Sequence, residues 1–211
     1  MATTRMSGPQ RRRQLIGVGR SLFAERGYQA TTVEEIADRA GVTKPVVYEH
    51  FGGKDGLYTV VVDREIEELS ARMGAAVATN QARVAGEQAA LAFLTYIDER
   101  GDGFRVLVRD APAGRSEGGL ATVMSDVAVR VEQLLRETFA ERGFDDQAAP
   151  MYARMLIGAV AFVGEWWLEA GKPDRDRMAA HVVNLLWNGL RGLEAEPAPL
   201  RILADRDQAA S

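Results

Sequence analysis

Apolar residues recur along much of the chain at the spacing of one face of an α-helix. Leu15, Val18 and Leu22 are separated by three and four positions, which predicts a first helix over Pro9–Gly27. Only the short segment Phe104–Val108 has the character of a strand, and a single strand would have no partner with which to form a sheet. The pattern therefore predicts an all-α fold.

Two short helices with clear boundary residues follow the first one. Thr32–Glu35 has the Ser/Thr-x-x-Glu pattern of a capping box, which predicts a second helix that Gly41 ends. Thr43 is expected to cap a third helix over 44–50. A fourth, long helix starts near Lys54 and links this region to the rest of the chain.

The remaining pattern predicts helices separated by segments that contain glycine or proline. These helices cover 82–99, 104–109, 120–142, 149–170 and 175–193, and residues 111–119 form a loop. We therefore expect an N-terminal arm and helix-turn-helix domain over 1–56. A second all-helical domain covers 57–194, and a disordered tail covers 195–211.

Charge is divided unequally along the 211-residue chain. The net charge is −4, but residues 1–60 contain nine Lys and Arg against six Asp and Glu, a balance of +3. The remainder contains seventeen against twenty-four, a balance of −7. A basic N-terminal segment on an acidic body is expected when only one end of a molecule faces phosphate groups.

Composition excludes several classes of function. No apolar run is long enough to cross a membrane, and no apolar segment of a secretory signal follows the arginine-containing N-terminus. We therefore expect a cytoplasmic protein. The chain has no cysteine and only two histidines, which excludes disulfide frameworks, thiolate metal sites and histidine clusters. We expect no cofactor.

The second and third predicted helices have the arrangement of a helix-turn-helix. Gly41 and Val42 form the turn, and the second helix of such a pair enters the major groove of DNA. Helical spacing turns the apolar positions inward. The residues left facing outward are Thr43, Lys44, Val46, Tyr48 and His50.

Residues 22–61 read LFAERGYQATTVEEIADRAGVTKPVVYEHFGGKDGLYTVV. This segment resembles the DNA-binding domain of the TetR (tetracycline-repressor-like) transcriptional regulators over roughly residues 10–60. The resemblance implies that Tyr48 and Lys54 contact phosphates and that Lys44 reaches a base edge or a phosphate. It also implies that Thr43 approaches the DNA backbone while it caps the recognition helix.

Further residues are candidates for contact with DNA. Thr32 lies at the start of the second helix, and Pro45 stands where the family usually has a small residue, so base preference is not transferable. Val46 has no hydrogen-bonding group, and its available partner in the major groove is a thymine methyl group. The arginines near the N-terminus form either a flexible arm on phosphates or a solvated basic tail. They are Arg5, Arg11, Arg12 and Arg13.

The C-terminal half resembles the effector and dimerisation domain of the same family through AFVGEWWLEAGKP and HVVNLLWNGLRGL. The resemblance implies a homodimer formed by the last two helices of each chain. The candidate dimerisation residues are Phe162, Val163, Trp166, Leu185, Leu186 and Gly189. Internal burial of the aromatic residues is the alternative. In a dimer, two recognition helices about 34–36 Å apart fit successive major grooves, so we expect a palindromic double-stranded DNA target.

A small-molecule effector would need an apolar pocket in the second domain. The candidate lining residues are Phe93, Tyr96, Phe104, Met124 and Met155. The same residues also suit a filled core. We expect a transcriptional regulator, either a repressor that an effector releases from its operator or an activator.

Two other functions fit parts of the sequence. Ser116 lies in a Gly-x-Ser-x-Gly match and precedes Asp174 and His181 in the chain order of α/β-hydrolases, but no predicted strand leads into the serine. A DNA-binding architectural protein would use the same N-terminal domain, but it would not need the roughly 150 residues beyond it. We therefore expect a regulator without enzymatic activity.

Overall fold

The computed structural model describes residues 6–108, 119–195 and 197 of the chain. Within these residues the regular structure is entirely helical, and none of the helices is long and apolar enough to cross a membrane. The helices are α1 (Gly8–Ala30), α2 (Val33–Ala40), α3 (Lys44–Phe51), α4 (Lys54–Ala76), α5 (Ala82–Glu99), α6 (Gly101–Val108), α7 (Leu120–Glu141), α8 (Ala149–Ala170) and α9 (Arg175–Arg191), with a 3₁₀ turn at Asp146–Ala148. The all-α prediction is confirmed. The predicted loop, apart from Gly119, and the predicted tail, apart from Ala195 and Pro197, lie outside the described residues.

Helix α1 begins at Gly8, one residue before the predicted start at Pro9. Ser7 is its N-cap, and the Ser7 amide donates to the Gln10 side chain at 2.8 Å in a capping box. The three arginines at 11–13 therefore lie in the first turns of α1 and not in a flexible arm, and their contact with DNA stays a prediction. Arg5 lies outside the described residues. Near the other end, Gly27 has φ 79° and interrupts the helical backbone where the sequence predicts the helix to end.

Helices α2 and α3 are joined by the predicted turn. Thr32 caps α2 and forms the capping box with Glu35, and Gly41 ends the helix with φ 64°. Thr43 occupies the N-cap position of α3, but its hydroxyl makes no capping hydrogen bond, so that part of the prediction is wrong. Pro45 lies in the first turn, where an amide has no helical partner to lose.

The segment 104–108, for which a strand was the alternative, is helical and belongs to α6. Helix α6 packs against both α1 and α4. Its Val106 joins the apolar cluster of the N-terminal helices, whereas Phe104 and Leu107 join the cluster of the larger domain. Helix α6 therefore contributes to both cores.

Helix α4 also connects the two cores. It contributes Leu57 and Val61 to the N-terminal cluster, and Leu69 and Met73 to the larger cluster among α4–α9. Each of these four side chains is almost completely buried. The packing on both halves of α4 makes this helix a continuous link between the helix-turn-helix and the larger domain.

Between the two cores, α4 buries a carboxylate. Glu65 accepts hydrogen bonds from Arg100 Nε at 2.9 Å, from the Tyr96 hydroxyl at 3.0 Å and from Arg20 Nη1 at 3.3 Å. Burial alone would raise the pKa of Glu65, but these bonds and the positive charges of Arg100 and Arg20 hold it below its ordinary value. The cluster ties α1 of the N-terminal domain to α4 and to the end of α5.

Candidate nucleic-acid interface

Helix α3 buries one side and exposes the other. Val47 is completely buried in the N-terminal cluster, where it holds the helix on α1 and α2. The other predicted residues of this segment differ in access to solvent. Thr43, Lys44, Pro45 and Tyr48 are exposed, and Val46 and His50 are half-buried. Tyr48 retains 54% of its exposure and is the largest apolar side chain on this surface.

Two of the predicted contact residues, Lys44 and Thr32, interact with glutamates of α2. Lys44 forms an ion pair with Glu34 of α2, and the hydrogen bond from Lys44 lowers the pKa of Glu34. Both side chains are about half exposed, so the pair is weak and screened by salt, and a phosphate can replace the carboxylate. The hydroxyl of Thr32 accepts from the Glu35 amide at 3.2 Å and is therefore engaged in capping α2.

The start of α4 lies beside Tyr48. A Cβ atom on Gly53 would be 3.3 Å from Cε1 of Tyr48, so the ring packs on the residue that precedes α4. Gly53 has no side chain to satisfy the first amide groups of α4, and such amides bind anions. Lys54 donates to the Tyr28 carbonyl at 3.0 Å. An ammonium group has three donors, so Lys54 keeps capacity for a phosphate.

The three arginines at the start of α1 each have a different environment. Arg12 donates to the His50 carbonyl at 2.6 Å, and its guanidinium carbon lies 4.4 Å from the centroid of the Phe51 ring. Arg12 therefore holds the end of α3 on α1. Arg11 donates to a glutamine side chain one turn later, and Arg13 is exposed. A run of like charges in the sequence does not reveal this structural role of Arg12.

Four large apolar side chains on α8 and α9 are more than half exposed. They are Phe162 at 78%, Leu185 at 72%, Met155 at 58% and Trp166 at 55%, and we call them the apolar face. Gly189 is exposed on α9 as well, whereas Val163 and Leu186 are half-buried and pack on the larger cluster of their own chain. The prediction that Met155 lines an internal pocket is wrong, because its side chain is on the outer surface of α8.

A cavity of about 520 Å³ lies in the larger domain between α5, α7, α8 and α9. Of the predicted lining residues, Phe93 and Met124 are on its wall. Tyr96 and Phe104 are not, because Tyr96 binds Glu65 and Phe104 packs edge-on against Phe93 with 5.6 Å between ring centroids. Most of the wall comes from α5, α7 and α9, whose apolar residues have the same sequence pattern whether they face a core or a cavity.

The residues of the hydrolase alternative do not form a site in the described part of the chain. Asp174 is the N-cap of α9 and accepts from the Arg177 amide at 3.0 Å, and His181 is exposed on the same helix. Ser116 lies outside the described residues. Over 6–108 and 119–195, no group of three histidine, aspartate or glutamate side chains is arranged to hold a metal ion.

Comparison with known proteins finds similar sequences along most of the chain. The family model described as "Bacterial regulatory proteins, tetR family" matches residues 15–61, and the "Tetracyclin repressor-like, C-terminal domain" matches residues 86–189. The transcriptional activator FasR of Mycolicibacterium smegmatis is 30% identical over 192 residues, which cover 88% of this chain and 85% of that protein. The transcriptional repressor KstR2 of Rhodococcus jostii is 39% identical over 59 residues, which cover 28% of this chain and 29% of that protein.

Solved structures give the same result for the fold. A TetR-like transcriptional regulator from Rhodococcus sp. RHA1 has a TM-score of 0.68 at 25% identity, and the match covers 90% of this chain and 100% of that one. The ketosteroid regulator KstR2 of Mycobacterium tuberculosis has a TM-score of 0.69 at 19% identity, with 87% and 96% covered. These matches cover nearly the whole chain and not only the segments that carry the resemblance.

Proposed function

Because the chain belongs to the TetR family of helix-turn-helix transcriptional regulators, we propose that it acts as a homodimer that represses transcription from a palindromic operator. It works in the cytoplasm, and a small molecule that enters the cavity of the larger domain releases it from DNA. Such a ligand must bind the DNA-incompetent state more tightly, since equal affinity for both states would shift nothing. As a member of this family, the chain is a regulator and not an enzyme.

The observation that carries this proposal is the exposed side of α3 beside the open start of α4. Tyr48 and the first amides of α4 offer hydrogen-bond donors to one phosphate, and Lys44 offers a cation to another. Val46 offers one apolar contact to a base edge. Phosphate contacts of this kind fix the position of α3 in the groove, and the base contact contributes sequence preference.

The apolar face supports the homodimer. Met155, Phe162 and Trp166 follow one another at helical spacing on α8, and large apolar side chains exposed together on a single chain are typical of surfaces that another protein covers. Phe162 and Leu185 are its most exposed members, and they lie on the two helices that a two-fold axis would pair with their mates. A two-fold dimer presents two copies of α3 symmetrically, so the operator it reads is palindromic.

Replacing Val46 by serine should relax base preference at one A·T position in each half-site. The substitution removes apolar contact with a thymine methyl group, so we expect discrimination at that position to fall about fivefold, or about 1 kcal/mol. Competition binding with a panel of single-base substitutions measures this effect. Val129→Ser, on the exposed side of α7, is the matched control, and unchanged selectivity in Val46→Ser would remove this residue from base recognition.

Activation of transcription is the second candidate function. Repression requires only that the dimer occupy its site, whereas activation requires a further productive contact with the transcription machinery. The whole-chain relative FasR is named an activator, however, and KstR2, which matches over a shorter segment, is named a repressor. Whether the chain represses or activates transcription is therefore tested directly.

A library of random duplexes placed between a promoter and a fluorescent reporter tests the proposal in cells that express the chain. We expect palindromic inserts to be enriched in cells that become dark, and Tyr48→Ala to abolish that enrichment. Enrichment in brighter cells would contradict repression and support activation. The same enrichment with wild-type and Tyr48→Ala chains would contradict the proposed DNA-binding surface.

A further inference from the structure

The cavity of the larger domain is apolar inside and charged at one end. We propose that it binds an amphipathic carboxylate, with an extended apolar body inside the domain and the carboxylate at the mouth beside Arg191. This inference rests on the proposed function in one respect only, which is that the cavity is the effector site. The chemistry of the ligand follows from the wall of the cavity itself.

Among the described residues, the interior offers very few polar groups to a ligand. Phe93, Leu134, Ile157 and similar residues form this part of the wall, and Thr138 is its polar member. The hydroxyl of Thr138 donates to the Leu134 carbonyl of its own helix at 2.9 Å. A ligand with several internal hydroxyl or amide groups would lose their hydrogen bonds to water without replacement. An aliphatic body meets no such cost.

The charged side chains on the cavity wall lie at or near helix termini, and all of them are at the same end of the cavity. They are Arg83 and Glu87 near the start of α5, Arg142 just after α7, and Arg191 at the end of α9. Among the described residues of the wall, three cations and one carboxylate leave an excess of positive charge at this mouth. An anionic group there stays partly hydrated, which avoids the large cost of burying an unpaired charge.

Arg191 is the cation of this group that a ligand can use. Arg83 binds Glu87 at 2.8 Å, and Arg142 donates to the carbonyls of Leu190 and Arg191 at 3.1 and 3.2 Å. Arg142 thereby also neutralises the negative end of α9, which would otherwise repel an anion. Within the described residues, the guanidinium of Arg191 has no hydrogen-bond or ion-pair partner and is exposed.

A surface groove provides a route to the mouth. A space of about 630 Å³ between α5 and α9 shares Arg83, Glu87, Val183, Trp187 and Arg191 with the cavity. The polar end of a ligand can therefore lie in this groove while the apolar part occupies the cavity. The cavity volume of about 520 Å³ is within the range of about 300–1,000 Å³ that is usual for small-molecule sites.

Calorimetric titration of the purified full chain with decanoate, decan-1-ol and butanoate tests the inference. We expect decanoate to bind about tenfold more tightly than decan-1-ol, because only the carboxylate forms a charge-assisted hydrogen bond with Arg191. Butanoate should bind at least about 100-fold more weakly than decanoate, because most of the apolar burial is lost. Equal affinities for the acid and the alcohol, or no binding of either, would overturn the inference.

Three variants locate the site. Arg191→Gln should abolish the tenfold preference for decanoate, whereas Lys172→Gln should keep it, because Lys172 is exposed at the opposite end of α8 and α9. Decanoate should change the tryptophan emission of the wild-type chain and not that of Trp187→Phe, because Trp187 is the tryptophan on the cavity wall. Preference retained in Arg191→Gln would overturn the role of this arginine.

The DNA-binding assay separates this inference from the proposed function. Decanoate that binds with the expected preference and leaves DNA affinity unchanged would support the ligand assignment and contradict release by an effector at this site. Absence of DNA binding would contradict the proposed function, and the titrations would still decide the chemistry of the cavity.

Discussion

Replacing both Phe162 and Leu185 by aspartate should leave the chain monomeric and weaken operator binding by about 100-fold or more. In a two-fold dimer, each substitution places two unpaired carboxylates in an apolar contact, where their desolvation is costly. A monomer contacts one half-site at a time, and joining two binding sites in one molecule raises apparent affinity by about 10²–10⁴. The double variant should still fold, because the two side chains are 78% and 72% exposed in the single chain.

Light scattering during gel filtration measures the mass, and fluorescence anisotropy measures the affinity for a labelled duplex. Val129→Asp is the matched control, because it introduces the same charge at a valine that is 56% exposed on α7. The control should remain dimeric and bind DNA like the wild type. A double variant that is still dimeric would contradict the assignment of the apolar face to the interface.

Glu65→Gln should lower the free energy of unfolding by about 2–3 kcal/mol. The amide keeps the shape of the carboxylate but loses its charge and directs an NH₂ group at donors of Arg100 or Arg20. Hydrogen bonds to charged groups contribute about 1.5–3 kcal/mol each. The side chain of Arg100 is 29% exposed, so water limits the loss to less than the 3–5 kcal/mol typical of a broken, fully buried pair. Urea unfolding measures the change, and Glu67→Gln, on the exposed side of α4, is the control.

The effect of Glu65→Gln should depend on pH. The pKa of Glu65 in the folded chain is below its ordinary value of 4.5, so the folded state binds fewer protons than the unfolded state. The stabilisation by the carboxylate is therefore complete above pH 4.5 and is lost as the pH falls through the folded-state pKa. We expect the stability difference between wild type and variant to be constant near neutral pH and to shrink in acid. A difference that does not change over this range would contradict the role given to the charge.

The helical architecture could be predicted from the sequence because its signals are local. The capping box of Thr32 and Glu35 and the left-handed residue at Gly41 each act within one or two turns. The start of α1, predicted at Pro9, is observed one residue earlier at Gly8, where Ser7 and Gln10 form a capping box. Local signals also indicate a helix-turn-helix, because the turn and both helices fall within about twenty residues.

Contacts between distant residues could not be predicted in the same way. Glu65 occupies a position in the apolar stripe of α4, four residues after Val61 and four before Leu69, which is a signal for a buried acid. Its partners Arg20 and Arg100 are 45 and 35 residues away in the chain, so only the packing of three helices reveals the cluster.

For the same reason, the sequence could indicate only part of the candidate site. Helical spacing identifies the outward residues of α3, but it does not tell Arg12, which binds the end of α3, from its exposed neighbour Arg13. Periodicity also gives the same weight to Met155, which is on the outer surface, and to Phe93, which is on the cavity wall. Distinguishing an outer apolar face, a filled core and a cavity requires the tertiary arrangement.

Selection of bound duplexes from a random pool, at two salt concentrations, tests most directly whether the chain is a symmetric, sequence-specific DNA-binding protein. The result predicted here is a palindrome whose half-sites are about one helical turn, 10–10.5 base pairs, apart or a multiple of it. Affinity for that palindrome should fall as salt rises, because phosphate contacts release counterions. Salt-dependent binding without enrichment of any sequence, by protein refolded to remove bound ligand, would contradict the account.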